Sequence, residues 1–176
     1  KRPNFLQALK NQAAVYVALE KLDQAQDVYQ KLLKIEADNP TLWSQHATLC
    51  LMQGNQQGAV DAYKQVSKLS SAPEQAYIGM ARSYIAIGAY EKALLACSDA
   101  LKANPNAHQA YYEQGNAHYA LTSYRNSVNA YDSALLLFPT SYEILTQRGR
   151  AKFALNEYKK AIVDFDAAIA LKDDYI

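Results

Sequence analysis

Three histidines, two cysteines and one alternating pair of aspartates are the residues whose types could support covalent, acid–base or metal chemistry. His46, His108 and His118 would serve as bases or metal ligands only with a partner at short spacing, and no His-x-x-x-His arrangement exists. Asp164 and Asp166 are two residues apart, so on a helix their carboxyls diverge and cannot share an acid–base task. Cys50 and Cys97 make no disulfide framework and are expected as buried thiols acting as small hydrophobes. No glycine-rich phosphate loop and no nucleophile elbow occurs. The expectation is a chain with no catalytic residues, no cofactor and no metal.

Charge narrows the partners. Lys and Arg number 18 against 17 for Asp and Glu, a net charge of +1, which argues against a nucleic-acid footprint built on many phosphate contacts. No segment approaches the ~18 uncharged apolar residues of a membrane span. The chain reads as soluble, with the cytoplasm favoured and a periplasmic or other compartment left open. It opens at Lys1 without a signal-peptide pattern, and is expected to be a piece of a longer protein.

The elements that position these side chains follow a fixed period. Ala25, Ala59, Ala93, Ser127 and Ala161 are each 34 residues apart. Tyr29, Tyr63, Cys97, Tyr131 and Phe165 follow four positions later each time. A period of this length predicts stacked units that shield their apolar faces against one another, here 6–39, 40–73, 74–107, 108–141 and 142–175 in a single solenoid.

Each unit predicts two antiparallel helices. Tyr77, Met80, Ala81 and Tyr84 show helical spacing in a first helix, and Ala161, Ile162, Phe165, Ala168 and Ile169 in a second. Gly54, Gly88 and Asn156 fall at unit position 15, where a left-handed residue ends a helix, whereas Glu20 and Thr122 hold that slot less obviously. Asn4, Asp38, Asn106 and Thr140 at position 33 are expected N-caps, with Gln7, Thr41, Gln109 and Glu143 completing capping boxes. In the third unit Ser71 with Glu74 offers the same pairing. Short residues at position 8 (Ala13, Ala47, Ala81, Gly115, Gly149) face the Ala/Ser series and let the helices cross closely. Ten of the fourteen tyrosines occupy positions 4, 11, 17 or 24, so most of the aromatic content reads as packing rather than as a platform for bases.

With Tyr111, Gly115, His118, Ser127, Tyr131, Ala134 and Pro139 in the fourth unit, the pattern resembles the tetratricopeptide repeat from Leu6 to Tyr175. Leu32 and Val66 depart from the small residue at position 27, and Lys152 from the tyrosine at position 11. The resemblance implies an all-α, right-handed superhelix of antiparallel helix pairs whose groove, lined by the first helices, binds a peptide or partner protein as an adaptor or assembly factor. The implied groove has a polar rim of Lys10, Asn11, Gln45, Thr48, Arg82, Tyr112, Glu113, Asn116, Gln147 and Arg150. A more apolar row of Val17, Leu51, Met52, Ile85, Tyr119 and Phe153 lies beside it. Position 2 is assigned to capping and left out of the groove.

Two specialised versions fit poorly. The carboxylate clamp that holds chaperone C-terminal tails would need matches at five positions, but Lys10 is followed by Ala14, Gln45, Gln75 and Gly79. An amide ladder of the glycosyltransferase-associated kind has Asn11, Gln45 and Gln147, interrupted by Gly79 and Glu113. The alternative from another class, an RNA-binding helical repeat, has only Lys10, Arg82 and Arg150 against Glu113. At the other end, Asp174 occupies the cap slot of a sixth first helix, and Ile162, Phe165 and Ile169 are expected to lie uncovered, available for self-association.

Overall fold

The computed structural model describes residues 3–173 and, among them, contains ten α-helices and no strand. They are α1 (Pro3–Ala18), α2 (Leu22–Ile35), α3 (Pro40–Met52), α4 (Gln56–Leu69) and α5 (Glu74–Ala86), followed by α6 (Tyr90–Ala103), α7 (His108–Ala120), α8 (Tyr124–Leu137), α9 (Tyr142–Ala154) and α10 (Tyr158–Asp173). Each helix packs on its neighbours in the chain, and α5 also touches α7, as α7 touches α9. The result is an α-solenoid of helix pairs, with the odd helices side by side. Asp174 and Tyr175 lie outside the described residues.

All five turns inside the pairs close the same way. Glu20, Gly54, Gly88, Thr122 and Asn156 have φ between +55° and +75°. The N–H of the next residue reaches back to the carbonyl of position 11, as Lys21 to Tyr16 (2.9 Å), Asn55 to Cys50 (2.8 Å) and Ser123 to His118 (2.9 Å). This is the Schellman geometry, which satisfies carbonyls that a helix end leaves open. Glu20 and Thr122 therefore adopt the same conformation as the glycines.

Helix starts differ from expectation by one residue. The N-caps of α3, α5, α7 and α9 are Asn39, Pro73, Ala107 and Ser141, at position 34. Asn39 accepts from the N–H groups of Thr41 and Leu42, and Ser141 Oγ from that of Ile144. Asn4 lies inside α1, and the Asn106 N–H instead donates to Asn104 Oδ1. No Ser71–Glu74 box forms; Ser70 takes the Ala72 N–H. α3 and α9 can begin later because Asn39 and Ser141 are themselves good caps, whereas Pro73 and Ala107 begin α5 and α7 without a side-chain cap.

Small residues set the packing distance. Positions 8 and 20 are buried in every unit. Ser127 Oγ donates to the Gly115 carbonyl at 2.9 Å, joining these two series directly. A Cβ on Gly115 would meet the Tyr131 ring at 2.4 Å, and one on Gly149 the Phe165 ring at 2.6 Å. Phe165 is thus turned inward, and only Ile162 and Ile169 of the three expected apolar residues stand exposed.

Lys152 finds a different solution at the position-11 slot. Its ammonium lies 2.8 Å from Asp164 Oδ2, while Arg148 forks onto both oxygens of the same carboxylate (2.9 and 2.6 Å) and reaches Asp132 at 2.6 Å. Asp164 is fully buried and Asp166 exposed, so the two carboxyls do separate. Both cysteines are buried and unpaired. Burial, followed by the Glu113 carboxylate, pushes the Cys97 thiol up to about 12.

Candidate functional site

Three neighbouring clefts open along the face made by the odd helices. The first, about 330 Å³, lies between α1 and α3 and is lined by Gln7, Lys10, Asn11, Thr41 and Gln45, with Tyr29 behind. The second, about 490 Å³, lies between α3 and α5. Thr41, Ser44 and Thr48 form one wall, Gln75 and Arg82 the other, and Tyr63 fills the depth over Gly79. A Cβ at Gly79 would meet that ring at 2.6 Å, so the missing side chain is what admits Tyr63. The third, about 260 Å³, is bordered by Arg82, His108, Tyr112, Phe138, Glu143 and Ile144. Thr41 is common to the first two clefts, Arg82 and Gln109 to the last two.

The expected groove residues divide into three sets. Lys10, Asn11, Gln45, Thr48, Arg82 and Tyr112 border the clefts. Glu113 and Asn116 work beneath them: the Arg82 Nε–H donates to Glu113 Oε1 (3.0 Å), Asn116 Nδ2 to Glu113 Oε2 (3.0 Å), and the Tyr131 hydroxyl to Asn116 Oδ1 (2.7 Å). Glu113 is 4% exposed, so it is a buried anchor rather than part of a rim. Val17, Leu51, Met52, Ile85, Tyr119, Gln147, Arg150 and Phe153 border none of the three clefts. Tyr119 packs edge-on against Tyr124, and Phe153 against Tyr158. Arg150 lies 5.2 Å over the Tyr119 ring and donates to Gln147 Oε1.

Position 2 needs correcting. Gln7, Thr41, Gln75, Gln109 and Glu143 all border clefts, and among the described residues Gln75, Gln109 and Glu143 make no helix cap. Capping was assigned to them from spacing, but the caps sit one residue later and leave this column facing outward. Sequence reasoning missed Tyr63, which comes from the second helix α4, Phe138, which follows α8, and His108, the first residue of α7. Two helical turns place Gln75 and Arg82 on one face of α5, a signal that was available from the sequence.

The clefts differ in chemistry. Ser44 Oγ, Thr48 Oγ1 and Ser70 Oγ donate to backbone carbonyls; Ser70 Oγ also accepts the Ala72 N–H, so the acceptor lone pairs left in the second cleft lie mainly on Ser44 and Thr48. Burial raises the Tyr63 phenol above its ordinary value, with Arg82 acting the other way. In the third cleft the His108 and Phe138 rings lie 5.0 Å apart. The Glu143 carboxyl is held below its usual range: burial opposes ionisation, but hydrogen bonds from its own backbone N–H, Tyr142 and Ser141 outweigh it.

Among the described residues, no group of His, Cys, Asp and Glu has a metal-binding arrangement, and no helix is long and apolar enough to cross a membrane. A solenoid of paired helices with a continuous row of clefts is the architecture of a helical-repeat interaction scaffold. The sequence matches models of the tetratricopeptide repeat over residues 51–114, and over 10–76 and 112–176. The chain belongs to the tetratricopeptide repeat family.

Solved structures share this fold. A MamA chain from Desulfovibrio magneticus RS-1 is 20% identical, with a TM-score of 0.83 over 96% of each chain. A tetratricopeptide repeat protein from Parabacteroides merdae is 18% identical, with a TM-score of 0.80 over 96% of this chain and 66% of its own. YrrB, described as having an unusual peptide-binding site, is 15% identical, with a TM-score of 0.71 over 92% of this chain and 84% of its own. No curated protein matches the sequence significantly.

Proposed function

We propose that the chain is a non-catalytic scaffold that binds a peptide or a segment of a partner protein along the odd-helix face, as an adaptor or assembly factor. The row of three connected clefts carries this reading. An extended chain presents side chains alternately, so successive clefts suit successive anchors, with amides and hydroxyls holding its backbone. The peptide-binding site named for YrrB, a protein of the same fold, supports it.

Nucleic acid is the weaker reading on this geometry. Lys10 is paired with Glu36 at 2.9 Å and Arg82 Nε with Glu113, so the groove offers too little net positive charge for a run of phosphates. An amide ladder is equally disfavoured, because Asn11 accepts from Gln7 and Gln147 from Arg150.

Selection of displayed random dodecapeptides on the purified chain tests the proposal. A photocrosslinking residue at position 48 should label the selected peptides, and one at position 95, on the exposed surface of α6, should not. Labelling from position 95 alone would overturn the groove reading. In parallel, filter binding with single-stranded RNA should show no salt-sensitive, sub-micromolar affinity.

A further inference from the structure

We propose that the second and third clefts form a two-pocket reader for an acidic side chain and, two residues away on the same peptide, a large apolar one. This rests on the groove reading above and assigns it a ligand chemistry.

Among the described residues, Arg82 is the only charged one bordering the second cleft. Its Nε is held by the buried Glu113 carboxylate, which Asn116 and the Tyr131 hydroxyl hold in turn. The guanidinium is therefore fixed through one nitrogen while its side chain remains 60% exposed. Its two terminal nitrogens make no hydrogen bond among the described residues, which leaves the end-on fork for a planar carboxylate. Gln75, Gln109 and the Tyr63 hydroxyl make no side-chain hydrogen bond among the described residues and add donors around the same space. One guanidinium already facing a carboxylate matches a single negative charge better than a phosphate dianion.

The third cleft selects differently. His108, Tyr112, Phe138 and Ile144 give it apolar and aromatic walls. Glu143 borders it and is ionised at neutral pH, so an acidic side chain is repelled there and directed to the second cleft. Arg82 and Gln109 are shared by both clefts, so adjacent pockets take side chains from one face of an extended strand, at i and i+2. Either chain direction satisfies this arrangement.

Fluorescence anisotropy with labelled Gly/Ser decapeptides provides the test. The probes carry Glu and Phe two residues apart in both orders, with Gln or phosphoserine replacing Glu, and Ala replacing Phe. At least one order should bind about ten-fold more tightly with Glu than with Gln, and Phe→Ala should weaken it. The double variant R82Q/E113Q, which leaves no unpaired buried charge, should equalise the Glu and Gln peptides. T48E leaves the Arg82 network intact and should weaken the Glu peptide selectively by charge repulsion. Equal binding of Glu and Gln peptides, tighter binding of the phosphoserine peptide, or indifference to R82Q/E113Q would overturn the two-pocket assignment alone. If neither these probes nor the displayed dodecapeptides bind, the groove reading falls with it.

Discussion

Thr122 shows how far a single residue can be held from its preference. With φ at +57°, it occupies a left-handed turn that a β-branched side chain disfavours, because the Schellman closure leaves no other path into α8. Thr122→Gly should raise stability by about 1 kcal/mol, the left-handed penalty less the entropy glycine adds to the unfolded chain. Thermal unfolding should show a melting temperature several degrees higher; no gain would mean that the turn is not under strain. The histidines give a second residue-scale prediction. His46 Nε2 pairs with Gln26, while Nδ1 is buried without a partner, and burial lowers the pKa of both His46 and His118. A folded-state pKa below the unfolded value favours the fold while the ring is neutral, above about pH 6.5. Stability should therefore fall as pH drops below about 6.5 and level off once the folded-state values are passed. Urea titrations between pH 8 and 5 would show this, and H46Q should flatten the slope. That His46 would be half-buried with one nitrogen unpaired was not legible in the sequence, because its partner Gln26 comes from the preceding unit.

Helix boundaries are where the sequence signal misled most. Asn at position 33 and Gln three residues later has the form of a capping box, yet position 34 supplies the observed side-chain caps of α3 and α9. Ahead of α3 and α9 both positions carry polar residues near a proline (Asp38 and Asn39, Thr140 and Ser141), so pattern alone does not choose between them. Asn39→Ala should cost about 1 kcal/mol, whereas Asn106→Ala should cost less than about 0.5 kcal/mol. Chemical denaturation of the two variants separates the registers. The α8–α9–α10 contact gives a second prediction. Lys152 replaces the family's tyrosine, and its charge is matched by Asp164, 2.8 Å away and shared with Arg148. Asp164→Asn takes the carboxylate from Lys152 and leaves Arg148 only its contact with Asp132, both cations being largely out of solvent, and should cost about 3 kcal/mol. If Asp164→Asn were nearly neutral in the same assay, the cluster would contribute only solvated charge. Lys152 was visible in the sequence as an exception, and so was Asp164, at a position that reads Val28, Ala62, Ala96 and Ala130 in the other units; that the two exceptions compensate each other was decided by packing between helices.

At the scale of the molecule, contacts run between sequence neighbours, so stability is distributed locally along the stack. The packing of α2 on α3 is the sparsest of the junctions between pairs, and Leu32, buried at position 27, replaces the small residue that permits close approach. The α1–α2 pair should therefore open first: amides of these helices should exchange with deuterium faster than those of α5 to α8 under native conditions. Uniform protection across all ten helices would refute this. The period of 34, the paired helices, the small-residue contacts and the turn at position 15 were set by the chain itself, because each depends on residues close in sequence. Which columns face the groove was decided by tertiary packing. Gln75 and Gln109 became cleft walls, Glu113 became the anchor of Arg82, and Tyr63 entered the space above Gly79. Those outcomes depend on how one unit rotates against the next, and side-chain size at distant positions fixes that rotation without leaving a local signature.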